Sequence, residues 1–286
     1  MPFSERIARR HRLWWGPPWP GRGRGVRDAL HRLRERRAFR DRGDPRSSWH
    51  CCERWPRTLL NKWNGREFAA RHGVEVAEVY WRGSDPGPEV MSGLPADFVV
   101  RPVFGANKEG VAVVADSREL LHPRSISAEE ALDLPPRGGR LRRPRPVLLE
   151  ERIWSPWGRA ALPLEYKVHV FGGHIGPIER LARTSADDRV HRYYLSDWEP
   201  LEDPINTFVP PDPAAHDPPE WLDVMLGQAS AIGAELGTFM RIDFFAGERG
   251  PVFNEFSSTP LAGGHYTPVA EAMLGGLWAE HCPSAV

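Results

Sequence analysis

The chain of 286 residues is poor in cysteine, in lysine and in long apolar runs, and each scarcity excludes something. Three cysteines, two of them adjacent as Cys51-Cys52, give neither a disulfide framework nor the paired spacing of a zinc site. No apolar run reaches the length of a membrane-crossing helix, and the N-terminus lacks the apolar stretch of a secretion signal. The expectation is therefore a cytoplasmic protein. Of 38 basic residues, three are lysine: Lys62, Lys108 and Lys167. In a chain that otherwise writes arginine, those three are candidates for specific work.

Net charge is zero but unevenly divided. Residues 1–60 hold sixteen Arg against six acids, a surplus of ten that the remainder cancels. This predicts a basic arm over residues 1–56 on an acidic body over 57–286. The segment RHRLWWGPPWPGRGRG reads as broken by Pro and Gly, and Val26, Leu30 and Leu33 follow at helical spacing. Such an arm could bind RNA, meet an anionic substrate or lie on a membrane surface. It could equally be a leader or a packing helix.

The most informative stretch is FMRIDFFAGERGPVFNEFSSTPLAGG, residues 239–264. Period-two alternation puts Met240, Ile242 and Phe244 on one face and Arg241 and Asp243 on the other. A three-residue turn, Glu248-Arg249-Gly250, would set Asp243 opposite Glu255 and Arg241 opposite Ser257. Facing carboxylates repel, and a divalent cation between them would reverse that term, with oxygen ligands suiting Mg²⁺. A solvated polar face is the plainer alternative. Upstream, Trp221, Met225, Ala229, Ile232 and Leu236 form a helical stripe stopped by Gly237, and a last helix covers Val269 to His281.

Other pieces are weaker singly. Leu59 to Gly73 reads as a helix with Lys62 near its start. Two β-branched runs, FVVRP and GVAVVA, flank the small-residue loop Phe104 to Gly110, whose N–H groups and Lys108 could cradle phosphates. PVLLEERIW is a buried strand ending in Glu150 and Glu151, which could receive a purine edge or be a surface pair. EYKVHVFGGHIGPIERLAR is a hairpin about Gly172-Gly173, with Lys167 and Arg183 near its open end. Residues 204–219 read as loop. The Gly263-Gly264 loop could hold an anionic intermediate, with His265 and Tyr266 beside it as substrate contacts or structural residues.

The order of these pieces resembles the ATP-grasp superfamily, and within it the TupA-like branch, over Asn61 to Gly275. EYKVHVFGG and FMRIDFF…VFNEF carry the resemblance most specifically. It implies an α+β fold in which two lobes with antiparallel sheets clamp ATP, the lid lobe covering about 95–150. It further implies that Lys62 and Arg101 grip phosphates, that the loop Gly105 to Gly110 with Lys108 closes over them, and that Glu150 and Glu151 lie at the adenine. Lys167 and Arg183 would neutralise phosphoryl charge, Arg241 would stabilise it as it develops, and Asp243, Glu255 and Ser257 would hold Mg²⁺. Gly263, Gly264 and His265 would face the substrate. Arg101 stands where the superfamily usually has Lys, and Ser257 where D-alanine–D-alanine ligases commonly have Asn. The implied activity is ATP-dependent joining of a carboxylate to an amine through an acylphosphate, in envelope polysaccharide or natural-product biosynthesis, by an enzyme that could be a homodimer. The competing readings are an RNA- or nucleotide-binding module without ligation, and a ligase taking its amine from aminoacyl-tRNA held by the arm.

Overall fold

The structure, a computed structural model, describes residues 2–15, 38–51, 55–105, 108–134, 146–155, 157–158 and 160–282. Two six-stranded sheets organise it. The first runs β1 (Glu75–Val76), β12 (Gly250–Ser257), β11 (Phe239–Gly247), β8 (Glu165–Phe171), β9 (His174–Arg183), β10 (Arg189–Tyr194). The second runs β2 (Val79–Gly83), β7 (Val147–Glu150), β3 (Asp97–Pro102), β4 (Ala112–Ala115), β5 (Arg118–Glu119), β6 (Arg124–Ser125). Every pairing is antiparallel except β1 with β12.

Alternation along the strands gives the first sheet one apolar and one polar face. Met240, Ile242, Phe244, Val168, Val170 and Ile178 pack against Met225, Ala229, Ile232 and Leu236 of a helix, Leu222–Leu236. That helix ends where expected, with Gly237 at φ +60°. A second helix, Lys62–Arg71, joins this core through Phe68 and is N-capped by Asn61, whose side chain accepts the Trp63 and Asn64 N–H groups. The second sheet has its own small core of Phe98, Val100, Ala112, Val114, Val147 and Leu149. The helix Ala128–Asp133 covers it, opened by a capping box of Ser127 and Glu130. This lobe begins earlier than expected, because Val79–Gly83 is one of its strands.

The hairpin of β11 and β12 forms with the expected register at the critical positions: Arg241 opposite Ser257 and Asp243 opposite Glu255. It gets there by another route. Gly247 pairs with Gly250, so the turn has two residues, Glu248 and Arg249, not three. Beyond Asp243 the pairing shifts, with Phe244 opposite Phe253, and Asn254 is left as a bulge. One residue fewer in the turn is offset by one more in the strand. Gly250 lies at φ +140°, not in the left-handed helical region.

The N-terminal segment departs from expectation. Phe3–Trp15 is a continuous helix that includes RHRLWW, since no proline falls between Pro2 and Pro17. Its Phe3 and Ile7 are fully buried with Phe171, Phe239, Leu274 and Trp278, the last two from the helix Pro268–His281. Phe3 meets Phe239 edge-on at 5.3 Å between ring centres. Residues 38–51 are fastened to the Lys62–Arg71 helix. The Arg40 N–H donates to Asn64 Oδ1 (2.9 Å), Trp63 Nε1 donates to Asp41 Oδ1 (2.8 Å), and Trp49 is buried. The described parts of the expected arm are thus walls of the body. Residues 16–37, including the helix expected about Val26, Leu30 and Leu33, lie outside the described residues.

Candidate active site

A cavity of about 1350 Å³ opens between the polar face of the first sheet and the second sheet. Ten Lys and Arg line it against seven Asp and Glu, a surplus that suits a polyanion. All three lysines of the chain are among them.

At the junction of the sheets, Arg101 on β3 donates to Glu150 Oε1 on β7 (3.1 Å) and to the Asn254 carbonyl (3.4 Å), and lies 3.9 Å from Glu255. The acceptor at Asn254 is the bulged residue. Lys62 Nζ donates to the Gly105 carbonyl (3.0 Å) and stands 3.7 Å from Glu255. Burial lowers the Lys62 pKa, and the Glu255 carboxylate works against it. Burial would raise Glu255, but Lys62 and Arg101 outweigh it and hold the acid below its ordinary value. Two cations predicted for phosphate and one acid predicted for metal therefore form a single cluster.

On β8 and β9 a second cluster joins Glu165 to Lys167 (3.3 Å) and to Arg183 Nε (2.6 Å). Burial brings Arg183 down to about 10. On β11, Arg241 donates through Nε and Nη2 to both oxygens of Asp243, each at 2.7 Å. Burial acts to lower Arg241, but this carboxylate outweighs it and raises the guanidinium. Asp243 is 1% exposed and is not itself in the cavity wall; Arg241 and Lys167, which both reach it, are. Ser257 lines the wall across from Arg241.

Among the described residues, Lys108 Nζ, from the loop that expectation set over phosphates, Arg183 Nη1 and Ser258 Oγ belong to this wall and have no hydrogen-bond partner. Buried cationic donors without acceptors are costly; both nitrogens are closed off from solvent in this structure, and a turn of each side chain toward an anion in the cavity would satisfy them. That is the observation by which the site fits a triphosphate. For Mg²⁺ the donor set is Asp243, Glu255 and the Ser257 hydroxyl, all hard oxygens. Among the described residues no cluster of three acids or histidines could hold an ion alone. Mg²⁺ does not need one, because it is usually held by one or two carboxylates with substrate phosphates and water. Asp243 already serves Arg241, but a carboxylate has lone pairs for both. The residues present fit.

Other expected residues fall less centrally. Glu151 accepts the Glu78 N–H (3.0 Å) at the cavity wall, and Gly105, Gly110 and His265 line it. Gly263 and Gly264 do not. The Gly264 N–H is already donated to the Leu261 carbonyl (2.9 Å), and a Cβ on Gly263 would sit 2.8 Å from Ser4 O and Ala8 N of the first helix. The expected oxyanion loop is therefore a packing contact whose glycine admits a helix. Residues not singled out beforehand complete the wall: Glu165, His169, Glu179, Tyr193 and Asn206. For Glu165 and His169 the signal was present in period two, since they alternate with Lys167 along one strand.

No protein-family model matches the chain, and no curated protein matches it. Solved structures do. A D-alanine–D-alanine ligase from Helicobacter pylori is similar at 17% identity over 80% of this chain and 61% of its own, with a TM-score of 0.50. The same enzyme from Bacillus anthracis, complexed with ATP, is similar at 14% identity over 80% and 67%, with a TM-score of 0.48. The ATP-grasp ligase PsnB is similar at 14% identity over 78% and 58%, with a TM-score of 0.41. The chain thus spans about three fifths of the Helicobacter ligase, at an identity that speaks for the fold alone. Two antiparallel sheets closing on a cationic cavity, matched on that scale, are the ATP-grasp fold.

Proposed function

We propose that the chain is an ATP-dependent carboxylate–amine ligase that releases ADP. The observation that carries this reading is the pair of partnerless donors, Lys108 Nζ and Arg183 Nη1, in a cavity with a cationic surplus beside the Asp243–Glu255 pair. Lys62, Arg101 and Lys108 bind the phosphates, and Glu150 and Glu151 stand at the nucleoside end. Asp243, Glu255 and Ser257 would hold Mg²⁺, which when bound supplies charge neutralisation at the phosphates. Lys167, Arg183 and Arg241 surround the transferred phosphoryl group. Their positive charge is fixed by Glu165 and Asp243 before substrate arrives, so little reorganisation is needed as charge develops.

The substrate carboxylate oxygen attacks the γ-phosphorus, and ADP leaves. The neutral amine then attacks the acyl carbon, the C–O bond to phosphate breaks, phosphate departs with the N–H proton, and an amide remains. No protein nucleophile is required. Closing of the second sheet over the cavity would keep water from the acylphosphate. The motif order further supports the TupA-like branch and a substrate from envelope polysaccharide or natural-product chemistry, and dependence on ATP suits the cytoplasm. Purified protein with Mg²⁺ and ATP should release ADP only when a pooled acid and a pooled amine are both present, and Asp243→Asn should abolish it. Release of AMP would refute the reading.

A further inference from the structure

The part of the cavity wall on β8, β9 and β10, here called the recess, differs in character from the phosphate-binding cations. Its wall is made by His169, Glu179, Tyr193, Asn206 and Tyr266. Glu179 and His169 are 5% and 2% exposed. Each makes one hydrogen bond and keeps one atom free. Glu179 accepts from His191 Nδ1 (2.8 Å) through Oε1, and its Oε2 has no hydrogen-bond partner among the described residues. His169 Nδ1 meets the Pro177 carbonyl (2.8 Å), which can only accept, so Nδ1 carries the proton and Nε2 is a bare lone pair. Both residues line the cavity, and neither free atom is sealed within protein.

Charge follows geometry. Burial would raise Glu179, but Lys167 and the His191 bond outweigh it and hold the acid at about 2, so it is ionised. Burial, with Arg241 beside it, brings His169 to about 4, so at neutral pH it is uncharged and accepts. The rim is fixed by Asn206, which donates to Tyr193 Oη (2.7 Å) and accepts the Phe208 and Val209 N–H groups. The recess thus presents an anionic acceptor and a neutral acceptor, next to cations that would hold the phosphorylated acid.

We propose that this recess is the amine subsite, and that Glu179 and His169 select an acceptor bearing a primary ammonium, as an amino acid or an amino sugar does. A primary ammonium has three donors, enough for Glu179 Oε2 and His169 Nε2 together, and the third proton must pass to the acylphosphate oxygens or to water to free the lone pair that attacks the acyl carbon. This inference rests on the ligase reading above.

The test compares wild type, Glu179→Gln and His169→Asn with ATP, a pool of sugar acids and N-acetylated amino acids as the acid, so that no free amine enters with it, and one of three nucleophiles: amino acids, amino sugars or hydroxylamine. Asn keeps a donor for Pro177 while removing the Nε2 acceptor. Both variants should raise KM for the amine about tenfold or more, as loss of a hydrogen bond to a charged group implies. KM for ATP should move by no more than about twofold. The pool that yields product distinguishes amino acid from amino sugar. ATP binding by calorimetry shows that each variant is folded, and either variant alone suffices. An unchanged amine KM, or amine and ATP constants that rise together, overturns the inference. So does wild type that forms hydroxamate but no product with either pool, and that result leaves the ligase reading standing. If hydroxylamine too elicits no ADP, the ligase reading itself has failed and the subsite falls with it.

Discussion

Acid should loosen this protein through one buried imidazole, and the effect can be worked out in advance. His169 is 2% exposed, its pKa lies at about 4 in the folded protein, and it carries an ordinary value of 6.5 when the chain is unfolded. Below pH 6.5 the unfolded chain takes up a proton that the folded one refuses until about pH 4. Stability is therefore complete above the unfolded value and is lost as pH falls between the two. The linkage relation gives a loss of about 2 kcal/mol near pH 5 and about 3 kcal/mol near pH 4 from this group. Burial lowers His72 and His174 as well, so the whole protein will show a steeper slope than His169 alone. The variant His169→Asn isolates it, because Asn cannot titrate but can still donate to Pro177. Urea unfolding midpoints from neutral pH down to about pH 5, converted at constant slope, should fall for wild type by about 2 kcal/mol more than for the variant. Parallel curves would mean that His169 is charged in the folded protein, and the uncharged acceptor assigned to it would be wrong.

Further outcomes follow from particular contacts. Lys108→Met should raise KM for ATP while leaving the thermal midpoint nearly unchanged, because its amine has no partner to lose; a fall in the midpoint of several degrees would contradict that. Gly233→Ala should destabilise by about 1–3 kcal/mol through overpacking, since a Cβ there overlaps Val170 and meets the Gly173 N–H group at 2.9 Å, as denaturant midpoints would report. Ser127→Ala should cost about 1 kcal/mol by removing the capping box of the second sheet's helix, detectable as faster local hydrogen exchange over Ala128–Asp133. Phe3→Ala should destabilise by about 3–5 kcal/mol, a core value, whereas a merely appended arm would lose almost nothing by unfolding measurements.

What could be read in advance was whatever leaves a period in the chain. The hairpin register survived a wrong turn length because a strand with one buried face cannot slip by a single residue without turning Met240, Ile242 and Phe244 outward. The helix ending at Gly237 carried a stripe and a stop. The first helix carried neither in legible form: its anchoring residues, Phe3 and Ile7, are two apolar positions among arginines. Strand Arg189–Tyr194 escaped because the face it turns inward is polar, with His191 and Tyr193 where a core strand has Val or Ile. Asn206 was hidden for a different reason. Its loop is held by side-chain capping of the Phe208 and Val209 N–H groups, and a cap of that kind gives no repeating signal. Lysine scarcity proved the most economical clue, since all three lysines line one cavity.

The most direct measurement of the ligase account follows an oxygen atom. With the substrate acid labelled by heavy oxygen in its carboxylate, attack on the γ-phosphorus leaves one labelled oxygen in the phosphate released when the amine displaces it. Mass spectrometry should find that label in inorganic phosphate and ADP as its partner. Unlabelled phosphate, or label carried into AMP, would contradict the account.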